Sequence, residues 1–333
     1  MTDRTETPAA RAEAPRLLLT RTWCVAALAM VSCLLWGSAI PCIKTGYALL
    51  GIPSGDVASE LLFAGLRFIL AGLIAIAAAG VGERRLPVPK RSSWGLVLKL
   101  CLAQTVVQYF FFYIGVSNAS GVKGSIINAA NTFFSVLVAC LVFRQERLTG
   151  RKVLGCLIGF AGVVIINLTG EGLGGGMTLT GEGFILISTI SYAVSSALIH
   201  EYSQKDDPVT LSGYQFVLGG AILTAVGLAA GGSLPNVTPA GVAMLGYLAV
   251  VSGVAYSLWS ILLKHNPTSK VVIFGFMNPV FGVIISSILL NEANVLPWQQ
   301  CAVALALITV GIYTVNRPGR RAEAAGHGAA QAG

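Results

Sequence analysis

Runs of about 20 apolar residues alternate along the chain with short polar stretches. Ten such runs fall near 22–43, 57–80, 94–116, 121–143, 151–168, 182–200, 209–230, 240–263, 270–290 and 298–316. At ~1.5 Å per residue, a helix of this length crosses the ~30 Å hydrocarbon of a bilayer. The runs are too long and too evenly apolar for barrel strands, and in lipid every backbone polar group must be satisfied within the protein. The pattern predicts an all-α integral membrane protein with ten transmembrane helices. Composition agrees: 11% of residues are charged, against about 25% in a soluble domain.

The stretch from Gln104 to Leu148 has a weak copy 146 positions later, in which Tyr113 falls on Trp259, Phe134 on Val280, Leu137 on Val283 and Glu146 on Glu292. Shorter echoes extend it. Trp36 to Lys44 resembles Tyr192 to His200, and Leu66-Arg67-Phe68 resembles Tyr214-Gln215-Phe216. The chain therefore reads as two five-span repeats, residues 22–168 and 182–316, between polar tails (1–21 and 317–333) expected to be disordered and cytoplasmic. Five is odd, so the second repeat enters the membrane with the opposite orientation. Inverted repeats are a signature of secondary transporters, whose similar halves can exchange conformations and open a site to alternate sides.

The net charge of +8 reports topology. Lys and Arg gather in the N-terminal tail, between spans 2 and 3 (Arg84, Arg85, Lys90, Arg91), between spans 4 and 5 (Arg144, Arg147, Arg151, Lys152), at Lys205, Lys264 and Lys270, and after span 10. The intervening loops hold none. By the positive-inside rule both termini are cytoplasmic, and the charge carries no nucleic-acid footprint.

Polar side chains at membrane depth either bond helix to helix or face a wet cavity. Span 4 carries Asn128 and Asn131 on one face. Span 3 offers Gln104 and Gln108 beside Tyr109, span 6 offers Tyr192, and span 8 offers Tyr256 and Trp259. Span 1 carries Trp36 and Lys44 around Pro41. Together these ten residues form the candidate substrate site, with aromatic walls and amide hydrogen bonds. Arg67 is the only charge near mid-membrane, and two roles stand open for it: capping carbonyls of a neighbouring helix, or touching substrate. Glu146 and Glu292 occupy matching helix ends, which favours a structural role. Gly155, Gly159 and Gly162 give span 5 a small-residue packing face.

Other chemistries lack their residues. Gly170–Gly175 fits GxGxxG, but it follows a membrane span and no strand, so nucleotide binding is not implied. The seven Cys and three His show no metal or redox spacing, and no catalytic triad or carboxylate pair is evident. No cofactor or metal is expected, and the partners are a small-molecule substrate and the lipid bilayer. The favoured class is a transporter. A membrane-embedded enzyme or lipid-handling protein is the alternative, and a channel is disfavoured by the inverted repeat and the lack of charged rings.

Four stretches, LLWGSAIPCIK, LRFILAG, FRQERLTGRKVLGCLIGFAGVVII and FMNPVFGVIISSILLNE, resemble in order and spacing the EamA-type, ten-helix branch of the drug/metabolite transporter superfamily. The resemblance covers residues 22–316. It implies an inner-membrane carrier, often an exporter of amino acids or other metabolites, with a central cavity between the halves. Two departures stand out. Phe133 replaces a Pro common in the fourth span of the family, while Pro279 keeps it in the ninth, so the first half is expected to lack the matching kink. Arg144-Gln145-Glu146 also replaces the usual Leu-Gly-Glu.

Overall fold

The computed structural model describes residues 18–83, 86–119, 121–167, 177–289 and 298–317. Ten helices in it are long and apolar enough to cross a membrane. They are α1 (Thr22–Leu50), α2 (Val57–Val81), α3 (Arg91–Asn118), α4 (Lys123–Val142), α5 (Gly150–Asn167), α6 (Leu179–Tyr202), α7 (Pro208–Ala229), α8 (Pro239–His265), α9 (Thr268–Ser286) and α10 (Trp298–Asn316). Each overlaps one predicted run.

Local chemistry sets the ends. Asp207 accepts the Thr210 N–H at 2.7 Å and Pro208 opens α7, while Thr238 accepts the Gly241 N–H at 3.0 Å and Pro239 opens α8. A side-chain acceptor followed by Pro at the first helical position is a strong start signal. α1 runs past its predicted end at residue 43. Lys44 and Thr45 stay on its surface, and the helix stops only at Gly51, whose φ of 70° suits the left-handed turn that glycine adopts at little cost. At the other end of α1 the expected disordered tail is shorter than predicted. Residues 18–20 form a helical turn, because Asn266 Nδ2 donates to the Leu19 carbonyl at 2.9 Å and Lys270 Nζ to that of Thr20 at 2.7 Å. Residues 1–17 and 318–333, with Arg84, Arg85, Gly170–Gly175 and Glu292, lie outside the described residues.

Helix packing repeats across the two halves. α1 packs on α8 and α9, and α6 packs on the corresponding α3 and α4; α2 pairs with α7 and α5 with α10. Exchanging the halves maps this set of contacts onto itself, as two inverted five-helix repeats require. The α5–α10 contact uses the small-residue face of α5, with Gly155 against the Gly311 carbonyl and Gly162 against that of Ala304.

The expected asymmetry between α4 and α9 is not found. α9 is interrupted by a 3-10 turn over Ile273–Phe276, just before Pro279. α4 is interrupted at Ala130, the repeat mate of Phe276, although it has no proline. The Ala130 N–H is shared between the carbonyls of Ile126 (3.3 Å) and Ile127 (3.0 Å), which tightens the turn. Beyond it, the Ser135 hydroxyl donates to the Asn131 carbonyl at 2.7 Å. Hydroxyl-to-backbone bonds of this kind bend helices without proline. Both halves therefore carry a broken fourth helix.

At the Lys/Arg-rich end, the loop after α4 is tied to α9 and α6. Glu146 accepts from the Ser269 N–H (2.7 Å), the Ser269 hydroxyl (2.6 Å) and Lys152 Nζ (2.7 Å). Gln145 donates to the Ala197 carbonyl at 2.8 Å and accepts from the Thr268 hydroxyl at 3.2 Å. The structural role expected of Glu146 is thus present.

Candidate functional site

Six helices, three from each half, bring aromatic side chains together at the centre of the bundle. Trp36 on α1 meets Tyr256 and Trp259 on α8, each edge-on with ring centroids 5.0 Å apart. The hydroxyls of Tyr109 on α3 and Tyr256 are hydrogen-bonded at 2.8 Å, a direct link between the halves. Phe68 on α2 stacks on Phe216 of α7 at 5.2 Å and lies 4.5 Å from Tyr109, and Phe216 meets Tyr256 at 4.9 Å. Tyr192 on α6 is buried in the same cluster.

Polar atoms at this junction are left without protein partners. Trp36 Nε1, Trp259 Nε1, Arg67 Nε and the hydroxyls of Tyr47 and Tyr113 are buried and bond to no described residue. Buried polar groups are usually satisfied, so orphans gathered around these rings call for water or a ligand, although others stand elsewhere, as at Thr224 and Asn278. Arg67 is 3% exposed and lies near the middle of α2. Its guanidinium carbon sits 4.5 Å from the Phe68 ring centroid and 5.7 Å from that of Tyr109. A mid-membrane arginine costs at least ~2.5 kcal/mol on insertion scales. Stacking on rings returns about 0.5–2 kcal/mol and satisfies no N–H. Capping of carbonyls, one of the two roles open for Arg67 from sequence, is not seen among the described residues.

Of the ten sequence candidates, Trp36, Tyr109, Tyr192, Tyr256 and Trp259 come together here; Gln108 precedes Tyr109 on α3, and its buried Oε1 bonds to no described residue. Asn128 and Asn131 are half-buried on either side of the break in α4. Asn131 Oδ1 accepts from the Thr132 hydroxyl at 3.2 Å, and Asn128 makes no hydrogen bond among the described residues. Two candidates stand elsewhere. Lys44 is exposed, about two turns beyond Trp36 along α1. Gln104 is 1% exposed and serves helix packing: Gln215 Nε2 donates to its Oε1 at 2.9 Å, and the Thr105 hydroxyl donates to Gln215 Oε1 at 2.8 Å. Its amide ties α3 to α7 because α3 is wound as a π-helix over Cys101–Val107, which resets the faces of the residues it contains. Gln104→Leu is therefore expected to strand the Gln215 amide and to lower stability by about 1–3 kcal/mol. A thermal melt of the purified protein checks the loss, with substrate affinity expected to stay at the wild-type value.

Phe68 and Phe216 were not among the candidates. The echo of Leu66-Arg67-Phe68 in Tyr214-Gln215-Phe216 was the signal that held them, since repeat mates that meet across the pseudo-twofold axis lie at the centre by construction.

Residues 23–168 and 179–317 each match the EamA-like transporter family. The chain belongs to that family. This EamA-like transporter is 27% identical to an uncharacterized transporter of Synechocystis sp., over 85% of this chain and 87% of the relative. It is 27% identical to an uncharacterized transporter of Archaeoglobus fulgidus, over 89% of this chain and 99% of the relative. A chloroplastic WAT1-related protein of Arabidopsis thaliana is 26% identical, over 85% of this chain and 67% of that protein. A crystal structure at 21% identity superposes with a TM-score of 0.71, covering 90% of this chain and 98% of the other, which shows the shared fold. The protein is thus a multi-pass membrane transporter, and its family implies a small-molecule substrate within a lipid bilayer.

Proposed function

We propose that this EamA-like transporter is a secondary carrier that exports a small polar metabolite, such as an amino acid, by alternating access of its two inverted halves. The observation that carries the reading is the aromatic junction. Side chains from both repeats meet there through the Tyr109–Tyr256 hydroxyl pair, beside indole N–H groups that no described residue satisfies. A ligand seated at such a point touches both halves and is released to either side when they exchange conformations. The matching breaks in α4 and α9 supply places where helix halves can reorient, and Asn128 and Asn131 border one of them. In this reading the Lys/Arg-rich end faces the cytoplasm of a cell whose plasma membrane holds the protein, with both termini inside.

The test is uptake of a labelled panel (amino acids, vitamins, nucleosides) into proteoliposomes holding the full-length protein in each orientation. One class is expected to be transported. Trp36→Ala should lower that flux at least about tenfold, equal to ~1.4 kcal/mol of lost binding, and Asn128→Ala with Asn131→Ala should lower it further. Flux that is unchanged in both variants, with the proteins correctly inserted, would move the site away from this junction.

A further inference from the structure

We propose that Arg67 is the anion-binding group of this carrier and that the molecule carried bears a carboxylate. The proposal rests on the transporter reading above and adds the substrate class.

Arg67 forms no hydrogen bond or ion pair with any described residue, although it is almost fully buried and its Nε is sequestered. Arginine cannot shed its proton to escape this situation. The repeat supplies a comparison inside the same chain. Gln215, which echoes Arg67, has both ends of its amide used, donating to Gln104 and accepting from Thr105. The positions 146 residues beyond Gln104 and Thr105 are Val250 and Val251. The partners that satisfy Gln215 in one half are therefore apolar in the other, where a cation replaces the amide. The nearest buried carboxylate, Glu60, stands about two turns away on the same helix and forms no ion pair with Arg67, so the guanidinium is left to be completed by an anion from outside the protein.

The surroundings specify that anion. Phe68 and Tyr109 lie beside the guanidinium, and a planar guanidinium fork matches a carboxylate in two parallel bonds. Arg67 is the only described cation stacked on these rings, so one negative charge is matched, and a doubly charged phosphate ester is not. A connected run of rings leads from Tyr109 through Tyr256 to Trp36 and Trp259, and their two indole N–H groups also lack acceptors among the described residues. The three orphaned N–H groups, Arg67 Nε and the two indoles, all ask for oxygen acceptors, while the ring faces suit an apolar or planar body.

The experiment uses the full-length protein in nanodiscs with matched ligands: phenylalanine and alanine, their methyl esters, the corresponding decarboxylated amines, and phenyl phosphate. Binding is read by tryptophan fluorescence and by ligand-induced thermal shift, and flux is read in proteoliposomes. The acids are expected to bind at least tenfold more tightly than esters, amines or the phosphate ester. Arg67→Gln, which copies Gln215, should remove that preference while the unliganded melting temperature holds or rises, and Arg67→Lys should keep part of it. Equal binding of acids and esters overturns the proposal, as does an acid preference that survives Arg67→Gln, or no binding by any of these compounds. The acid–ester comparison in the wild-type protein stands even if a variant fails to fold. Flux without carboxylate preference would remove the role given to Arg67 and leave the carrier. Carboxylate binding with no flux in either orientation would do the reverse.

Discussion

Gly220→Leu is expected to leave little folded protein. α2 and α7 approach so closely that a Cβ at position 220 would lie 2.6 Å from both the Gly65 carbonyl oxygen and the Ile69 amide nitrogen. Both are main-chain atoms of a helix and cannot rotate aside. Across the contact, a Cβ at Gly65 would run into the Thr224 side chain and its amide nitrogen. Overpacking in a well-packed core typically costs 1–3 kcal/mol when side chains can yield. Here the helices themselves must separate, so a loss of at least ~3 kcal/mol is expected, a large part of the 5–15 kcal/mol that holds a typical domain together. The comparison is Gly246→Leu on α8, where a new Cβ meets nothing within 4 Å. Size-exclusion profiles and melts of the two variants should diverge sharply: Gly246→Leu monodisperse, Gly220→Leu aggregated or absent. Equal behaviour would mean that the α2–α7 contact is looser than its geometry.

Glu146→Ala is expected to have the next largest effect and to open the Lys/Arg-rich end. One carboxylate there holds the Ser269 N–H, the Ser269 hydroxyl and Lys152 together, at 2.6–2.7 Å. The acid is well placed at the start of α9, where the unpaired N–H groups of a first turn favour negative charge. Removing one member of a largely buried ion pair strands the other, at about 3–5 kcal/mol. Cys140 provides the reporter, being buried in α4 with the Lys152 amine 4.0 Å from its sulfur. Maleimide modification at Cys140, followed by mass spectrometry, should run at least about tenfold faster in Glu146→Ala, with Glu146→Gln between it and wild type. An unchanged rate would show that Gln145, through Ala197 and Thr268, closes this end alone.

The aromatic part of the site was legible in the chain because large rings have few places to go. Trp36, Tyr192, Tyr256 and Trp259 lie on helices that the repeat places at the interface of the halves, and their bulk fills it. The amides were harder. Gln104 and Gln108 belong to one helix and one residue type, yet Gln104 is spent on Gln215 while the Gln108 oxygen has no partner among the described residues. Periodicity gives a face and does not say which neighbour that face meets, and Gln215 lies 111 positions from Gln104. The break in α4 was hidden for a related reason. Proline is the visible sign of a helix interruption, whereas at Ala130 a shared backbone N–H and nearby side-chain bonds do the same work.

The sequence by itself determined the membrane class, the ten helices, their duplication and the opposed orientation of the halves. Hydrocarbon imposes length and apolarity on every spanning segment, and an odd number of spans per repeat leaves only one relative orientation. Only the tertiary structure decided which polar groups bind each other and which are left over. Gln215 bonds to Gln104 and Thr105, Lys44 stays at the surface, and Arg67 lies against aromatic rings with no ion-pair partner among the described residues. These outcomes depend on contacts between helices far apart in the chain, and no local pattern of residues encodes them.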